Sequence, residues 1–488
     1  MPRLIEVVRE VRGTLLDADG SENVTGVSYD SRSVSQGEIF AAINGFKTNG
    51  TSFVGEALAK GAIAILCDRH AEFQSAVPRI VVDNTRVALA QAAWMLAGNP
   101  HKSLKLIGVT GTNGKTTITN ALAQLLNLCG HPTGVTGTLG MIFDDHKFDS
   151  DRTTAEAPDL ARVFSSMVQS GATHVAMEAT SIGLHLHRLD CLTFEVGVFS
   201  NLTRDHLDFH ETWENYRQAK GLLFSPEKLA GTGIVNVDDP EAEYFLSLAR
   251  GRCITYGIQT VADFLASEID LSTSGSKFRL HAREVVFQVQ TSLIGKFNVY
   301  NVLAVIAGAS ALGIPLGEIV SKLPQIRPVR GRAEIVPSTA GFDVIVDYAH
   351  TPDALEKILS TIRELTKNRL ICVIGAGGDR DRGKRPFMAQ VAESYADLIY
   401  LTSDNPRTED PESILRDLMS GIRSASKARV IENRKEAIRG ALRSASNHDV
   451  VVIAGKGHET YQEIRGVKHP FDDREVVLEW LNENGLGQ

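Results

Sequence analysis

"LKLIGVTGTNGKTTITNALAQLLN", residues 104–127, is the stretch on which the fold of this chain turns. An apolar, strand-like run passes into a loop of Gly, Thr and Asn, then Lys115, two threonines and apolar residues at helical spacing. A strand end that gives up side chains for glycine frees its backbone N–H groups, and at a helix N-terminus the usual ligand for such a loop is phosphate. Gly111 and Gly114 let the backbone curl round oxygens, Lys115 reaches toward β/γ-phosphates, and the Thr116 hydroxyl suits Mg²⁺. The strict spacing of a phosphate loop asks for glycine at 109, where Val109 stands, so the match is approximate. A plain glycine-rich turn with a solvated lysine would leave "GKTT" directly between strand and helix without a reason.

Outward from this loop, three segments differ in texture. Residues 1–103 mix short β-like runs with helix patterns and end in the turn-rich "GNPHKS". Residues 104–330 alternate strands ("LKLIGVT", "HVAMEAT", "VGVFSN", "GIVNV") with helices, and residues 331–488, after the break at Pro328 and Gly331, do the same with "FDVIVDYAH", "RLICVIGAGG", "DLIYLTSD" and "DVVVIAGKG". The expectation is an α/β protein of three domains. A central phosphate-loop domain would carry a mostly parallel sheet with helices on both faces, preceded by a smaller α/β domain and followed by a Rossmann-like one. The C-terminal strands end in Gly, Asp or His, and ligands of open α/β sheets bind at such ends.

The chain has 488 residues, too many for one core, and a net charge of −8, which argues against a nucleic-acid partner. Its five cysteines are scattered without a CxxC pair, which favours reduced thiols over disulfides or a zinc site. The N-terminus is broken by charge and no apolar run approaches a membrane span, so neither a signal peptide nor membrane insertion is expected.

Taken together, "TGTNGKTT", "NLTRDHLDFH", "GKFNVYNVLAV", "DYAHTPDAL", "GGDRDRGKRP", "DNPR" and "GKGHE" resemble the Mur ligases of cell-wall synthesis, from about residue 25 to the C-terminus. Within that family the motifs resemble the branch that adds meso-2,6-diaminopimelate to UDP-MurNAc-L-Ala-D-Glu. The resemblance implies a cytoplasmic, monomeric, ATP-dependent ligase that works through an acyl phosphate. It assigns ATP to Gly111, Thr112, Asn113, Gly114, Lys115, Thr116, Thr117, Asn298, Arg332 and Asp347. It makes Thr116, Glu178, His206 and a carbamylated Lys220 ligands of Mg²⁺, the carbamate being CO₂-derived, and counts Lys115, His206 and Lys220 as catalytic. Read alone, Lys220 in "WENYRQAKGLLF" is a solvated helix lysine.

For the nucleotide-muropeptide the resemblance implies Tyr29, Ser31, Phe46, Lys47 and Thr48 in the first segment, and Thr153, Thr154, Thr180 and Arg188 in the second. Arg152 stands where many relatives have Asn, and Leu186 where many have Gln. For diaminopimelate it implies Arg380, Asp404, Asn405, Pro406, Arg407, Gly455 and Glu459. The guanidinium of Arg407 can grip the distal carboxylate that lysine lacks, in a fork that neither Lys nor a neutral side chain copies. A phosphate-loop kinase or GTPase also accounts for the opening stretch but leaves the C-terminal strand ends unused. A nucleotide-binding regulator needs no Glu178, His206 or Lys220. A lysine-adding ligase is opposed by "DNPR", and folylpolyglutamate synthetase by the first segment.

Overall fold

The structure, a computed structural model, describes residues 1–45, 48–249 and 251–487. The chain forms two compact units: Met1–Leu265 with His281–Val285 and Tyr300–Lys322, and Ala266–Leu280 with Val286–Val299 and the chain from Leu323 onward. The first unit takes in residues 1–103 and most of 104–330 because one apolar core runs through both. In it Trp94 of the helix Thr85–Leu96 lies 5.4 Å from Phe164 of the helix Ala157–Gln169.

Two sheets build the first unit. A five-stranded sheet orders Thr14–Leu16, Arg79–Val82, Ala64–Asp68, Glu38–Ala41 and Gly26–Ser28, with only the first pair antiparallel. In the larger sheet Lys105–Thr110 is central, with the parallel strands His174–Glu178 and Phe194–Phe199 on either side. Leu229–Asn236 and Arg252–Gly257 continue it in parallel on one side. On the other, Thr133–Gly137 is parallel, and Gly140–Phe143 and His146–Phe148 fold back antiparallel. The register pairs Val109 with Glu178 and Thr110 with Phe199, so the loop after Thr110, Glu178 and the segment after Phe199 share one sheet edge.

The second unit holds a six-stranded sheet ordered Glu334–Val336, Asp343–Asp347, Val450–Ala454, Leu370–Ala376, Leu398–Ser403 and Ala428–Val430, parallel except for the first pair. Its central strands are apolar on both faces, as a sheet covered by helices on both sides requires. Cys372 and Ile374 face the helices Pro352–Leu365, Lys384–Tyr395 and Pro411–Met419, whereas Ile371 and Val373 face Arg434–Ser444 and Asp473–Glu483, which is the two-residue period of a strand. A hairpin, Tyr461–Ile464 with Val467–Pro470, follows the strand Val450–Ala454. Among the described residues no helix is long and apolar enough to cross a membrane, and all five cysteines are free.

Candidate active site

The glycines of the phosphate loop are needed where they stand. Gly111 has φ +144° and a Cβ there would lie 2.0 Å from Ser200 Oγ; Gly114 has φ +88° and its Cβ would lie 2.5 Å from Asn301 Oδ1. Any side chain would meet both strain and a clash. The loop is clamped from the next strand end: Asn201 Oδ1 accepts the Asn113 N–H at 3.0 Å, and Ser200 Oγ donates to Asn113 O at 2.6 Å. The Thr112 hydroxyl lies 3.0 Å from that of Tyr216.

Two lysines converge on one carbonyl. Lys115 Nζ donates to Gly111 O at 3.0 Å and to Thr112 O at 2.8 Å, while Lys220 Nζ donates to the same Gly111 O at 2.7 Å. Lys220 is only 2% exposed, on the helix Trp213–Gly221, and its ammonium lies 4.6 Å from the centre of the Tyr216 ring. Burial, and then the charge of Lys115, push its pKa well below the ordinary lysine value. The solvated-lysine reading therefore fails at this position: packing under the loop carbonyl removes the side chain from water.

Glu178 ends its strand almost fully buried. Thr138 donates to it twice, through its N–H to Oε1 at 2.8 Å and through its hydroxyl to Oε2 at 3.3 Å. The Thr116 hydroxyl is 3.5 Å from that of Thr138, which is 3.3 Å from that of Thr153. Thr154 donates to Glu178 O at 2.7 Å and lies 2.8 Å from the Thr180 hydroxyl. Thr116, Glu178, Thr153, Thr154 and Thr180 are thus one connected set, with Thr138 at its junction. Thr117 is buried at the start of the helix Lys115–Leu128. His206 stands apart from this set, in left-handed backbone with φ 51°, its Nε2 3.5 Å from Asp205 Oδ2; burial lowers its pKa. A non-glycine residue held in that conformation marks a constrained position.

Among the described residues no three His, Cys, Asp or Glu side chains group as a metal cage. The donors present still suit Mg²⁺, which takes oxygen ligands and characteristically uses only one or two carboxylates beside phosphate and water. Glu178 and Thr116 offer such oxygens next to the phosphate loop.

Arg188 donates to Thr154 O at 3.0 Å and pairs with Glu156 at 2.9 Å. Glu156 also faces Arg152 at 3.2 Å and Arg86 at 3.8 Å, and Arg152 lies over the Tyr29 ring at 5.5 Å. Tyr29 donates to Asp159 at 2.7 Å, Ser31 donates to Glu56 at 2.6 Å, and Thr48 O accepts the Gly45 N–H at 2.9 Å. Phe46 and Lys47 lie outside the described residues.

In the second unit Asp347 accepts the Ala333 N–H at 2.7 Å and the Ala349 N–H at 2.8 Å, and burial raises its pKa. Arg332 lies over the Tyr348 ring at 4.8 Å, and Asn298 donates to Ile294 O at 2.8 Å. The segments carrying Asp404 and Glu459 meet at the carboxyl ends of Leu398–Ser403 and Val450–Ala454. Asn405 Nδ2 donates to Glu459 Oε2 at 2.8 Å, and Lys456, on the same carboxylate at 2.8 Å, has no exposed side-chain surface. Pro406 and Gly455 are buried beside them, whereas Arg380 is exposed. Arg407, in left-handed backbone with φ 51°, donates through Nη1 to Gly378 O at 2.7 Å, and its Nε lies 3.4 Å from Glu463 Oε2. Behind them the buried Arg385 ties Gly377 O, at 3.1 Å, to Glu409 and Asp417, both at 2.9 Å.

Sequence reasoning missed Thr138, Asn201, Tyr216, Glu156, Arg385 and Lys456. Asn201, Glu156, Arg385 and Lys456 lie inside the motifs "NLTRDH", "RTTAEAPD", "GGDRDRGKRP" and "GKGHE" and were legible there; Thr138, in an ordinary "GTLG" turn, carried no signal.

Residues 23–97 match a family model described as Mur ligase family, catalytic domain; residues 109–309 match Mur ligase middle domain; and residues 331–457 match Mur ligase, glutamate ligase domain. The chain is 42% identical to the UDP-N-acetylmuramoyl-L-alanyl-D-glutamate–2,6-diaminopimelate ligase of Syntrophomonas wolfei, over 98% of this chain and 99% of that one. It is also 42% identical to the protein of that name from Geobacillus kaustophilus, over 99% and 100%. A solved structure of a ligase with the same name superposes with a TM-score of 0.72 at 36% identity, over 99% of both chains.

Proposed function

The chain belongs to the Mur ligase family, and from that premise we propose that it is an ATP-dependent ligase that joins meso-2,6-diaminopimelate to the D-glutamate of UDP-MurNAc-L-Ala-D-Glu, releasing ADP and phosphate. The observation that carries this reading is the connected set running from the phosphate loop through Thr116, Thr138 and Glu178 to Thr154 and Thr180. It ties the segment that suits ATP to the segment that suits the muropeptide.

The glutamate carboxylate attacks the γ-phosphorus and ADP leaves, forming an acyl phosphate. The amine of diaminopimelate, having lost a proton, attacks the acyl carbon, and phosphate departs. The first step brings anion to anion, so fixed cations must neutralise the developing charge. In this reading Lys115 supplies that charge, which is supported by its ammonium resting on the carbonyls of Gly111 and Thr112 in the same loop. Thr116, Glu178, His206 and carbamylated Lys220 would hold Mg²⁺, which supplies further charge neutralisation. Burial supports the carbamate, because an amine with a depressed pKa is available in the neutral form that adds CO₂ and releases a proton. Arg188 and Thr180 would hold the muropeptide, residues 1–103 its uridine end, and the Asp404–Glu459 pocket the incoming amino acid. In this reading the enzyme acts in the cytoplasm as a monomer.

The test is phosphate release with ATP, the nucleotide-dipeptide and meso-diaminopimelate, omitting each in turn, with the product weighed by mass spectrometry. Release should require both co-substrates and yield the tripeptide. Equal release from ATP alone would leave only a nucleotidase.

A further inference from the structure

Lys456 is buried without any exposed side-chain surface, at the end of a strand rather than in a helix where its stem could reach water. Its ammonium lies 2.8 Å from Glu459 Oε2, 3.1 Å from Asn405 Oδ1 and 4.0 Å from Asp404 Oδ1. The strands Leu398–Ser403 and Val450–Ala454, whose ends it joins, are not neighbours, since Leu370–Ala376 lies between them. Strands two places apart are separated by roughly 10 Å, so a long side chain is needed to close that gap.

A methionine would fill the same volume without the desolvation cost of a buried ammonium. The charge therefore needs a reason beyond packing, and the reason is on Glu459. Its Oε2 already accepts from both Lys456 and Asn405, and Asn405 is fixed in turn by the Glu463 N–H at 2.9 Å. A side-chain ammonium that approaches Glu459 meets an Oε2 whose acceptor directions Lys456 and Asn405 already take, and Lys456 also lies 4.0 Å from Asp404, so one cation offsets part of the charge of both carboxylates and weakens their pull on a bare ammonium. It gains only if it brings an anion of its own, and Arg407 is the nearby cation able to receive one.

We propose that Lys456 is a positioning residue that neutralises and orients Glu459, and so confines the pocket to amino acids whose distal ammonium is accompanied by a carboxylate. This rests on the proposed reading of the pocket as the amino-acid site. Lys456 and Arg407 then act on opposite halves of one choice: Arg407 rewards the carboxylate, and Lys456 withholds Glu459 from a bare ammonium.

The experiment uses the full-length enzyme with saturating ATP and nucleotide-dipeptide, and compares kcat/KM for meso-diaminopimelate and L-lysine. Lys456→Met should lower the ratio of the two by about tenfold or more, chiefly through a lower KM for L-lysine, with KM for ATP unchanged. Lys456→Arg keeps the charge and should hold the ratio near that of the unmodified enzyme. If both substrates lose equally in Lys456→Met, or if Lys456→Arg loses the ratio as fully, Lys456 is a strut and the inference fails. Should Lys456→Met not fold, Glu459→Gln decides: with the Lys456 charge answered only by Asp404 at 4.0 Å, L-lysine should lose more than diaminopimelate, and equal losses overturn the inference. An unmodified enzyme without preference would overturn the proposed function and this inference with it. Preference that survives in Lys456→Met overturns the inference alone.

Discussion

Arg407→Ala tests the amino-acid pocket most directly. The guanidinium has five N–H donors; Gly378 O takes one of Nη1 at 2.7 Å and Nε faces Glu463 at 3.4 Å, so a distal carboxylate can still be met end-on by one N–H from each terminal nitrogen. Charge-assisted hydrogen bonds contribute about 1.5–3 kcal/mol each, so the pair is worth roughly 3–6 kcal/mol and its loss about 10²–10⁴ in kcat/KM for diaminopimelate. The backbone should not collapse with the side chain, because the Arg407 N–H donates to Glu463 O at 3.0 Å and its carbonyl accepts from the Arg465 N–H at 2.6 Å. That backbone has φ 51°, so Arg407→Gly, free of left-handed strain, should be more stable than Arg407→Ala by about 1 kcal/mol while equally inactive. Steady-state ligation separates activity, and thermal unfolding separates stability. L-lysine should be a poor substrate of the unmodified enzyme and little better for Arg407→Ala, because no new contact replaces the lost one. Arg407→Ala within about threefold of the unmodified enzyme, or equal use of L-lysine by the latter, would refute the reasoning.

Lys115→Ala should cut substrate-dependent phosphate release by about 10³ or more, with thermal unfolding showing the fold retained. Lys220→Ala should be nearly inactive and partly rescued by added formate or acetate, and the unmodified enzyme under carbon-13-labelled CO₂ should show a carbamate resonance that this variant lacks. Asp238 has a pKa of about 2 against an ordinary 3.8: burial pushes it up, but the N–H groups of Ile258, Gln259 and Thr260 and the Tyr300 hydroxyl outweigh burial. With the folded value below the unfolded one, this stabilisation is complete above about pH 4 and is lost as pH falls through 2; Asp238→Asn should remove that slope, about 1 kcal/mol after solvent screening, in acid titrations of unfolding. Arg434→Met should destabilise the second unit by about 3–5 kcal/mol by leaving Asp473 buried and unpaired, and adding Asp473→Leu should restore most of the unfolding midpoint.

What sequence could and could not disclose follows from the range of the forces involved. The apolar runs at 370–376 and 450–454 can only be strands covered on both faces, and a glycine loop between strand and helix has few uses besides phosphate, so sheet, edge and loop were all legible. Glu178 and the segment after Phe199 were legible as strand ends, because parallel strands align their carboxyl ends whatever lies between them in sequence. The antiparallel return at 140–148, which brings Thr138 beside Glu178, depends on a register that strands of four and three residues are too short to announce in sequence. Charge state was hidden for a different reason. Lys220 read as a solvated lysine because nothing in its own segment shows that a loop carbonyl will close over it. Arg188 shows the converse: its likeness to a substrate anchor was legible, but its pairing with Glu156, which two further arginines also face, was not. Three guanidiniums against one carboxylate leave an excess of positive charge around Glu156. Which ions answer one another is settled only by folding, and in this protein those pairings decide which substrate charges remain to be answered.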